Sequence, residues 1–510
     1  MAAGNPLHPE VSVTGSNRPL VVALDSALEA DRELLGGKGS GLVRMARLGI
    51  PVPPAFTLTT AACRRYQDDG RRLSDALWSE VLEALGALED KTGQRFGGVP
   101  PLLVSVRSGA PVSMPGMMDT LLNVGLNQPA LTWLGLGEPT ESGTGWLYEL
   151  ASGIRQSFAD APFAVLNAER GTDAGAEAMA QLRWAIARII DYWQNRRAEA
   201  YRRANGISVE LGTAVTVQAM VFGNRDDESG TGVYITRNPV TGANEPYGEW
   251  LPQAQGESLV SGEQSPLDLG MLGATMPGVH RELLAAGRRL ETCERHPVEI
   301  EFTVESGRLY LLQSRCSTRT PVAAVRWAVA LVDEKLIGIT DAVRRVDDDT
   351  LRKLTEVGEL VEATGRILAR GTGVVPGWCS GLVVDDADKA DRLVEAGQQV
   401  ILARPSTSPR DIHGFLAAAG VITERGGSTS HAAVVARQIG VPCVVGCDDG
   451  AVAAVTGRVV TIDGTHGVIY DGAVPDEAAE KQSAQLPELA RLLRWKYATA
   501  RLPTTRSRKL

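Results

Sequence analysis

One stretch, Gly426-Gly427-Ser428-Thr429-Ser430-His431, constrains this chain more than any other. Before it stands Gly420-Val421-Ile422-Thr423, a strand-like run. After it comes Ala432-Ala433-Val434-Val435-Ala436-Arg437, with the composition of a helix. The pattern predicts a strand, a tight loop and a helix. Ser428 or Thr429 is the expected N-cap, which places His431 in the first helical turn. Free N–H groups and the positive dipole end of that turn suit a group that becomes negatively charged. Alanines behind the histidine leave room for a bulky reactant. A histidine so placed is a candidate nucleophile that carries a phosphoryl group.

Upstream, Leu34-Leu35-Gly36-Gly37-Lys38-Gly39-Ser40-Gly41 reads as a glycine-rich loop running into a helix. It lacks the Walker A spacing, but glycines admit backbone N–H groups to phosphates and Lys38 can neutralise them. Val104-Ser105-Val106-Arg107-Ser108-Gly109 delivers Arg107 from a strand to a glycine turn, a fixed guanidinium suited to phosphate. A methionine-glycine loop ending in Asp119 follows. Residues 175–205 have the spacing of one packed helix. Ala214–Val221 and Gly232–Thr236 read as the two arms of a flexible hairpin, the lid expected of an ATP-grasp architecture.

Val298-Glu299-Ile300-Glu301-Phe302 is a strand with both carboxylates on one face. Leu309–Arg315 is its partner across the turn Glu305-Ser306-Gly307-Arg308, so that Glu301, Gln313 and Arg315 converge. Two carboxylates and an amide oxygen suit Mg²⁺, a hard ion that takes oxygen ligands and keeps substrate phosphates. Arg404 follows another strand and either faces the histidine or makes a surface ion pair.

The run Thr423–Arg437 closely resembles the phosphohistidine motif of the pyruvate, phosphate dikinase family. It is less similar to phosphoenolpyruvate synthase, which carries a cysteine just before the histidine. Ser428 stands where the family has a methionine. The stretches around Lys38, Arg107 and Met114–Thr120 resemble the same family's nucleotide-binding part, as do Thr236–Pro239, Gly248-Glu249 and Ala254–Glu257. The resemblance implies that Lys38 and Arg107 contact ATP phosphates and that the Asp119 loop closes over them. It implies that Glu299, Glu301, Gln313 and Arg315 hold nucleotide, with Mg²⁺ on Glu301 and Gln313. A family arginine near Gly153–Phe158 has no clear counterpart; Arg155 is the nearest. Thr429 matches a threonine that is a regulatory phosphorylation site in the plant enzymes.

The implied fold is α/β and α+β multidomain, an ATP-grasp nucleotide-binding domain joined by a helical linker to a swivelling β/β/α phosphohistidine domain. The expected boundaries are a loose arm at 1–19, the nucleotide domain at 20–320, the linker at 321–372, the histidine domain at 373–475, and a helix with a basic end, Arg506–Lys509, at 476–510. A phosphoenolpyruvate-binding (β/α)₈ barrel needs about 250 residues, whereas 35 follow position 475, so that part is expected to be missing. The implied reaction uses ATP and inorganic phosphate to phosphorylate His431, with AMP and pyrophosphate leaving. An unshifted imidazole is mostly neutral near pH 7 and able to attack. Onward transfer to pyruvate then needs a separate acceptor chain. The competing expectation is a phosphohistidine carrier or regulatory module that passes phosphate to a partner protein or another small acceptor.

Composition narrows the surroundings. The net charge of −9 argues against nucleic acid as main partner. No run of 18 apolar residues suggests a membrane span, and no basic-then-apolar leader opens the chain, so a cytoplasmic location is expected. A homodimer is one expected state. Six scattered cysteines suggest neither a disulfide framework nor zinc; Cys443 and Cys447 read as buried thiols.

Overall fold

The computed structural model describes residues 18–25, 30–112, 114, 120–133, 174–256, 266–348, 350–351, 354, 366–407, 411–428, 430–473 and 486–500. The architecture is mixed α/β with several sheets. Two compact units emerge: residues 1–40, 54–143 and 147–220 form the first, and 41–53, 144–146 and 221–510 the second.

The first unit holds β1 (Val21–Ala23), β2 (Ala55–Leu58), β3 (Arg95–Phe96), β4 (Pro101–Leu102), β5 (Val104–Gly109), β6 (Thr120–Val124) and β7 (Ala214–Ala219). Five of these make an antiparallel sheet in the order β1-β2-β7-β5-β6. Alternation sends Phe56, Leu58, Val104, Val106, Val215 and Val217 to one face, where helices Thr60–Asp68, Asp75–Thr92 and Ala174–Tyr192 cover them. Thr57, Thr216, Gln218 and Arg107 share the opposite, polar face. The helix expected across 175–205 is two, Ala174–Tyr192 and Arg196–Ala204. Asn195 restarts it, its side chain accepting from the Ala198 N–H at 2.7 Å.

The second unit begins its strands with β8 (Gly230–Ile235), β9 (Tyr247–Pro252), β10 (Leu267–Asp268), β11 (Val298–Glu305) and β12 (Arg308–Cys316). They form an antiparallel sheet ordered β10-β9-β8-β11-β12. Helix Pro277–Glu294 covers one face: Gly287 sits against Tyr234 and Thr236, and the stacked pair Trp250 and Phe302 lies on the same face, on either side of Gly232.

The expected lid hairpin does not form. β7 pairs with β2 and β5, whereas β8 pairs with β9 and β11. Both strands are buried at every residue, so each needs a neighbour on both edges, which a two-stranded lid cannot supply.

The remaining strands are β13 (Ile367–Arg370), β14 (Thr372–Val375), β15 (Trp378–Val384), β16 (Val400–Arg404), β17 (Gly420–Thr423), β18 (Cys443–Val445), β19 (Val459–Asp463) and β20 (Val468–Asp471). They make one mixed sheet, β13-β20-β19-β15-β16-β17-β18-β14, with β15 to β18 parallel. Apolar clusters cover both faces, one around Leu402, Phe415 and Val421, the other around Ile401, Ile422 and Ile462. Helices Pro321–Asp333 and Ile339–Arg344 follow the five-stranded sheet and pack with helix Pro487–Ala500 through Val325, Leu331 and Leu492.

Candidate functional site

Within the second unit, cross-strand register assembles a polar face. Directly paired residues of an antiparallel sheet project to the same side. Glu249 pairs with Val233, Val233 with Glu301, and Glu301 with Gln313. The next row is Tyr247, Ile235, Glu299 and Arg315. The expected grouping of Glu299, Glu301, Gln313 and Arg315 is therefore present, on the side away from helix Pro277–Glu294.

A β-bulge sets this grouping. The turn at Ser306 and Gly307, both left-handed at φ 47° and 73°, pairs Glu305 with Arg308 and Phe302 with Leu311. Left regular, the ladder would set Glu301 against Leu312. The register shift between Glu301 and Phe302 skips Leu312 and restores the Glu301–Gln313 pair. Leu309 and Leu311 thus enter the core while Gln313 and Arg315 join the polar face.

Arg315 donates from Nε to Glu299 Oε1 at 3.1 Å and from Nη2 to the same oxygen. Burial pulls its guanidinium down, but Glu299 and Glu301 outweigh this and hold it above the usual range. Glu299 is buried, and its second oxygen, Oε2, has no hydrogen-bond partner among the described residues. That orphaned carboxylate oxygen, with half-buried Glu301 and Gln313 alongside, is an oxygen donor set fit for Mg²⁺. Among the described residues no group of three or more His, Cys, Asp or Glu makes an all-protein metal cage; an ion that keeps waters and phosphates as ligands needs fewer protein groups.

The loop before His431 reaches this face. Gly426 takes φ 99° and Ser430 is the helix N-cap, accepting from the Ala433 N–H at 3.5 Å. His431 is the first residue of helix His431–Ile439. Capping thus falls on Ser430, one or two residues after the Ser428 or Thr429 expected from sequence; Ser428 is engaged elsewhere. Its N–H and Oγ both donate to Glu249 Oε1, at 2.5 and 2.7 Å. Ala432, Ala433 and Ala436 are buried against the sheet. Their small size serves close helix–sheet packing, not the approach of a reactant as expected.

Arg437, from the same helix, is 4% exposed, and its three guanidinium nitrogens make no hydrogen bond among the described residues. Burial lowers its pKa, offset in part by Tyr247, Glu299, Cys443 and Glu249. Sequence reasoning noted Glu249 only as part of a loop and gave Arg437 no role. Glu249's partner lies 179 residues away, so no local pattern could reveal it.

The first unit holds the other two candidates. Helix Arg32–Arg47 includes the first turn that was expected as loop, then breaks at Gly36 (φ 68°, ψ 177°). Gly36 lies directly on the Gly109 carbonyl, and the Gly37 N–H donates to Ala110 O at 3.0 Å. Lys38 Cβ consequently sits beside Gly109, at the end of the strand bearing Arg107. Arg107 Nη1 donates to Gln218 Oε1 at 3.4 Å. Structure thus brings Lys38 and the Arg107 strand together.

Arg404 donates to the Asp385 carbonyl at 2.6 Å and pairs with the buried Asp411 at 3.5 Å, so of the two expectations an ion pair is present. Cys443 and Cys447 are buried, as expected, and burial pushes both thiols up, Cys447 to about 12. Asp119, Gly153, Arg155, Glu257, Thr429 and the basic end fall outside the described residues. No helix among the described residues is long and apolar enough to cross a membrane.

Comparison with known proteins places these features. Residues 69–279 match the family described as pyruvate phosphate dikinase, AMP/ATP-binding domain. Residues 396–467 match the PEP-utilising enzyme, mobile domain. Pyruvate, phosphate dikinase of Clostridium symbiosum is 37% identical over 93% of this chain and 60% of its own length. The Rhizobium meliloti protein of that name is 38% identical over 92% and 59%. Pyruvate, phosphate dikinase 2 of Zea mays is 40% identical over 82% and 51%. The chain thus spans between half and three fifths of these relatives. With both domains present, in this order, and such identity along most of its length, the chain belongs to the pyruvate, phosphate dikinase family through its AMP/ATP-binding and mobile domains.

Proposed function

We propose that this chain uses ATP and inorganic phosphate to phosphorylate His431, the nucleotide half of a pyruvate, phosphate dikinase reaction. One observation carries the reading. The loop leading to His431 touches, through Glu249, the same sheet face that bears Glu299, Glu301, Gln313 and Arg315. Strands lie about 4.8 Å apart. Glu249 is two strands from Glu301, so loop and candidate metal ligands are about 10 Å apart along the row.

In this proposal Lys38, Arg107 and Arg315 neutralise the polyphosphate, and the helix N-terminus at His431 favours the incoming charge. Glu301 and Gln313 hold Mg²⁺, with Glu299 beside them; the ion would draw charge from the phosphate oxygens it binds. His431 displaces AMP from the β-phosphorus, and phosphate then removes the terminal phosphoryl as pyrophosphate. Positioning and charge neutralisation supply most of the rate. The nucleotide-binding residues belong to an ATP-grasp domain at 20–320, joined through 321–372 to a swivelling histidine domain at 373–475. Pyruvate, met on a separate acceptor chain, takes the phosphoryl group onward.

Incubation with ATP labelled at the β position is the test. Covalent label and AMP are expected with wild type, label lost in His431→Asn and on chelation of Mg²⁺. Label retained in His431→Asn overturns the reading. Transfer to pyruvate when the acceptor chain is added supports the dikinase assignment; label that moves only to another protein favours a phosphocarrier.

A further inference from the structure

The first unit has a cavity that the scheme above leaves unused. It holds about 510 Å³ and opens at the elbow between helices Ala174–Tyr192 and Arg196–Ala204. That is the size of a small-molecule site. Overlapping turn bonds shape the elbow: the N–H groups of Trp193, Gln194 and Asn195 donate to the carbonyls of Ile190, Asp191 and Tyr192 at 3.2, 3.0 and 3.2 Å. They satisfy closing carbonyls of the first helix, which blunts its negative end. Buried Trp193 anchors the elbow, its indole N–H donating to the Val209 carbonyl at 3.1 Å. The second helix starts at the cavity rim with Arg196, so its positive end lies there. Asn195 caps that helix with its side-chain oxygen, and the NH₂ of the same amide remains as a donor at the rim. Arg71 lines the cavity from the turn after helix Thr60–Asp68, where Gly70 and Arg71 are both left-handed at φ 70° and 62°. A non-glycine residue there costs about 1 kcal/mol. The turn carries the Arg71 guanidinium to Asp191, 2.8 Å away, while the Tyr66 hydroxyl donates to the other Asp191 oxygen at 3.5 Å.

We propose that this cavity binds the phosphate group of a small molecule, at a site separate from the face that bears Lys38 and Arg107. Three guanidiniums, of Arg71, Arg188 and Arg196, stand against one carboxylate, Asp191, among the lining residues. This local positive surplus runs against the net charge of −9 of the whole chain. Asp191 is already engaged at both oxygens by Arg71 and Tyr66, so it offers an anion little repulsion. Arg188 lies over the Tyr192 ring at 5.0 Å, a stacking that fixes the plane of its guanidinium. A fixed guanidinium fork matches two phosphate oxygens at once, and bonds between charged partners are about twice as strong as neutral ones. Helix Ala174–Tyr192 covers the apolar face of the five-stranded sheet, whereas Arg107 lies on the polar face. A phosphate held at the elbow is therefore not the one that Arg107 meets. Free phosphate and a phosphomonoester share this chemistry. The inference uses no part of the phosphohistidine reading.

Calorimetric titration of the full chain tests the site, with inorganic phosphate, ribose 5-phosphate and AMP as probes. Lys38→Ala and Arg107→Ala are combined first, to remove the other phosphate contacts. On that background at least one probe is expected to bind saturably, one per chain, and more weakly as salt is raised. Adding Arg196→Ala is expected to weaken it about 10-fold, and Arg188→Ala at least as much. Arg196 is exposed, so its removal spares the fold; a thermal melt checks Arg188→Ala, which also gives up the contact with Tyr192. Arg203, exposed on the same helix and paired with Glu199, lies outside the cavity, and Arg203→Ala is expected to change nothing. In the otherwise unaltered chain, Arg196→Ala is expected to remove one bound phosphate group and leave ATP affinity as it was. Tighter binding of either ester assigns the site to a phosphomonoester, and equal binding of all three probes assigns it to the free ion; either supports the site. Absence of saturable binding overturns it, as does unchanged binding in Arg196→Ala. Equal weakening by Arg203→Ala also overturns it, by reducing the effect to general surface charge.

Discussion

Single side chains set the tightest limits. Gly427→Ala would place a methyl group on the Glu249 carboxylate. Labelling of His431 is expected to fall about 100-fold, since displacement by an ångström costs that much, with ATP affinity preserved in an equilibrium binding assay. His296 supplies a pH dependence. Burial against Trp327 lowers its pKa to about 4, its Nδ1 lying 2.8 Å from the Pro297 carbonyl. A free imidazole titrates near 6.5, so between those values the unfolded chain binds the extra proton and stability rises with pH. Falling from pH 6.5 to 4 is expected to remove about 3 kcal/mol. Urea melts of wild type against His296→Gln across that range measure the term; parallel curves would refute it. Residue types made Glu301, Gln313 and His431 legible beforehand. Arg437 and Glu249 were not, because a buried group is recognisable only by what surrounds it.

Elements show where local pattern stops being informative. The strands at 214–219 and 230–235 lie close in sequence and read as a hairpin, yet each is an inner strand of a different sheet. Proximity along the chain favours local pairing, and burial on both edges overrode it. In the parallel run β15 to β18, the strand Gly420–Thr423 and the one before Arg404 were legible as apolar stretches, and their parallel pairing was not. Helix Arg32–Arg47 carries its break at Gly36, where a positive φ and contact with the Gly109 carbonyl leave no place for a β-carbon. Gly36→Ala is expected to destabilise the first unit by at least ~2 kcal/mol, read from a denaturant melt. Loss of ATP binding should accompany it, since the same turn aligns Lys38 with Gly109.

At the scale of the molecule, distant segments are tied by charge. Arg237 is 1% exposed and bridges Glu291, on the helix behind the five-stranded sheet, to Glu334, at the end of helix Pro321–Asp333. Arg237→Ala leaves Glu291 buried without its cation, so a loss of about 3–5 kcal/mol is expected, measured by thermal unfolding. Arg237 lies in a loop that resemblance groups with nucleotide binding, and its partners give it a structural task instead. The skipped residue in β12 has a wider consequence. Leu309, Leu311, Gln313 and Arg315 stand at every second position, and only Leu312, passed over by its neighbour strand, divides core from chemistry among them. Amino acids along this ribbon can be swapped at modest cost, yet the extra residue must stay out of the ladder: paired regularly, the same sequence would carry Gln313 and Arg315 inward.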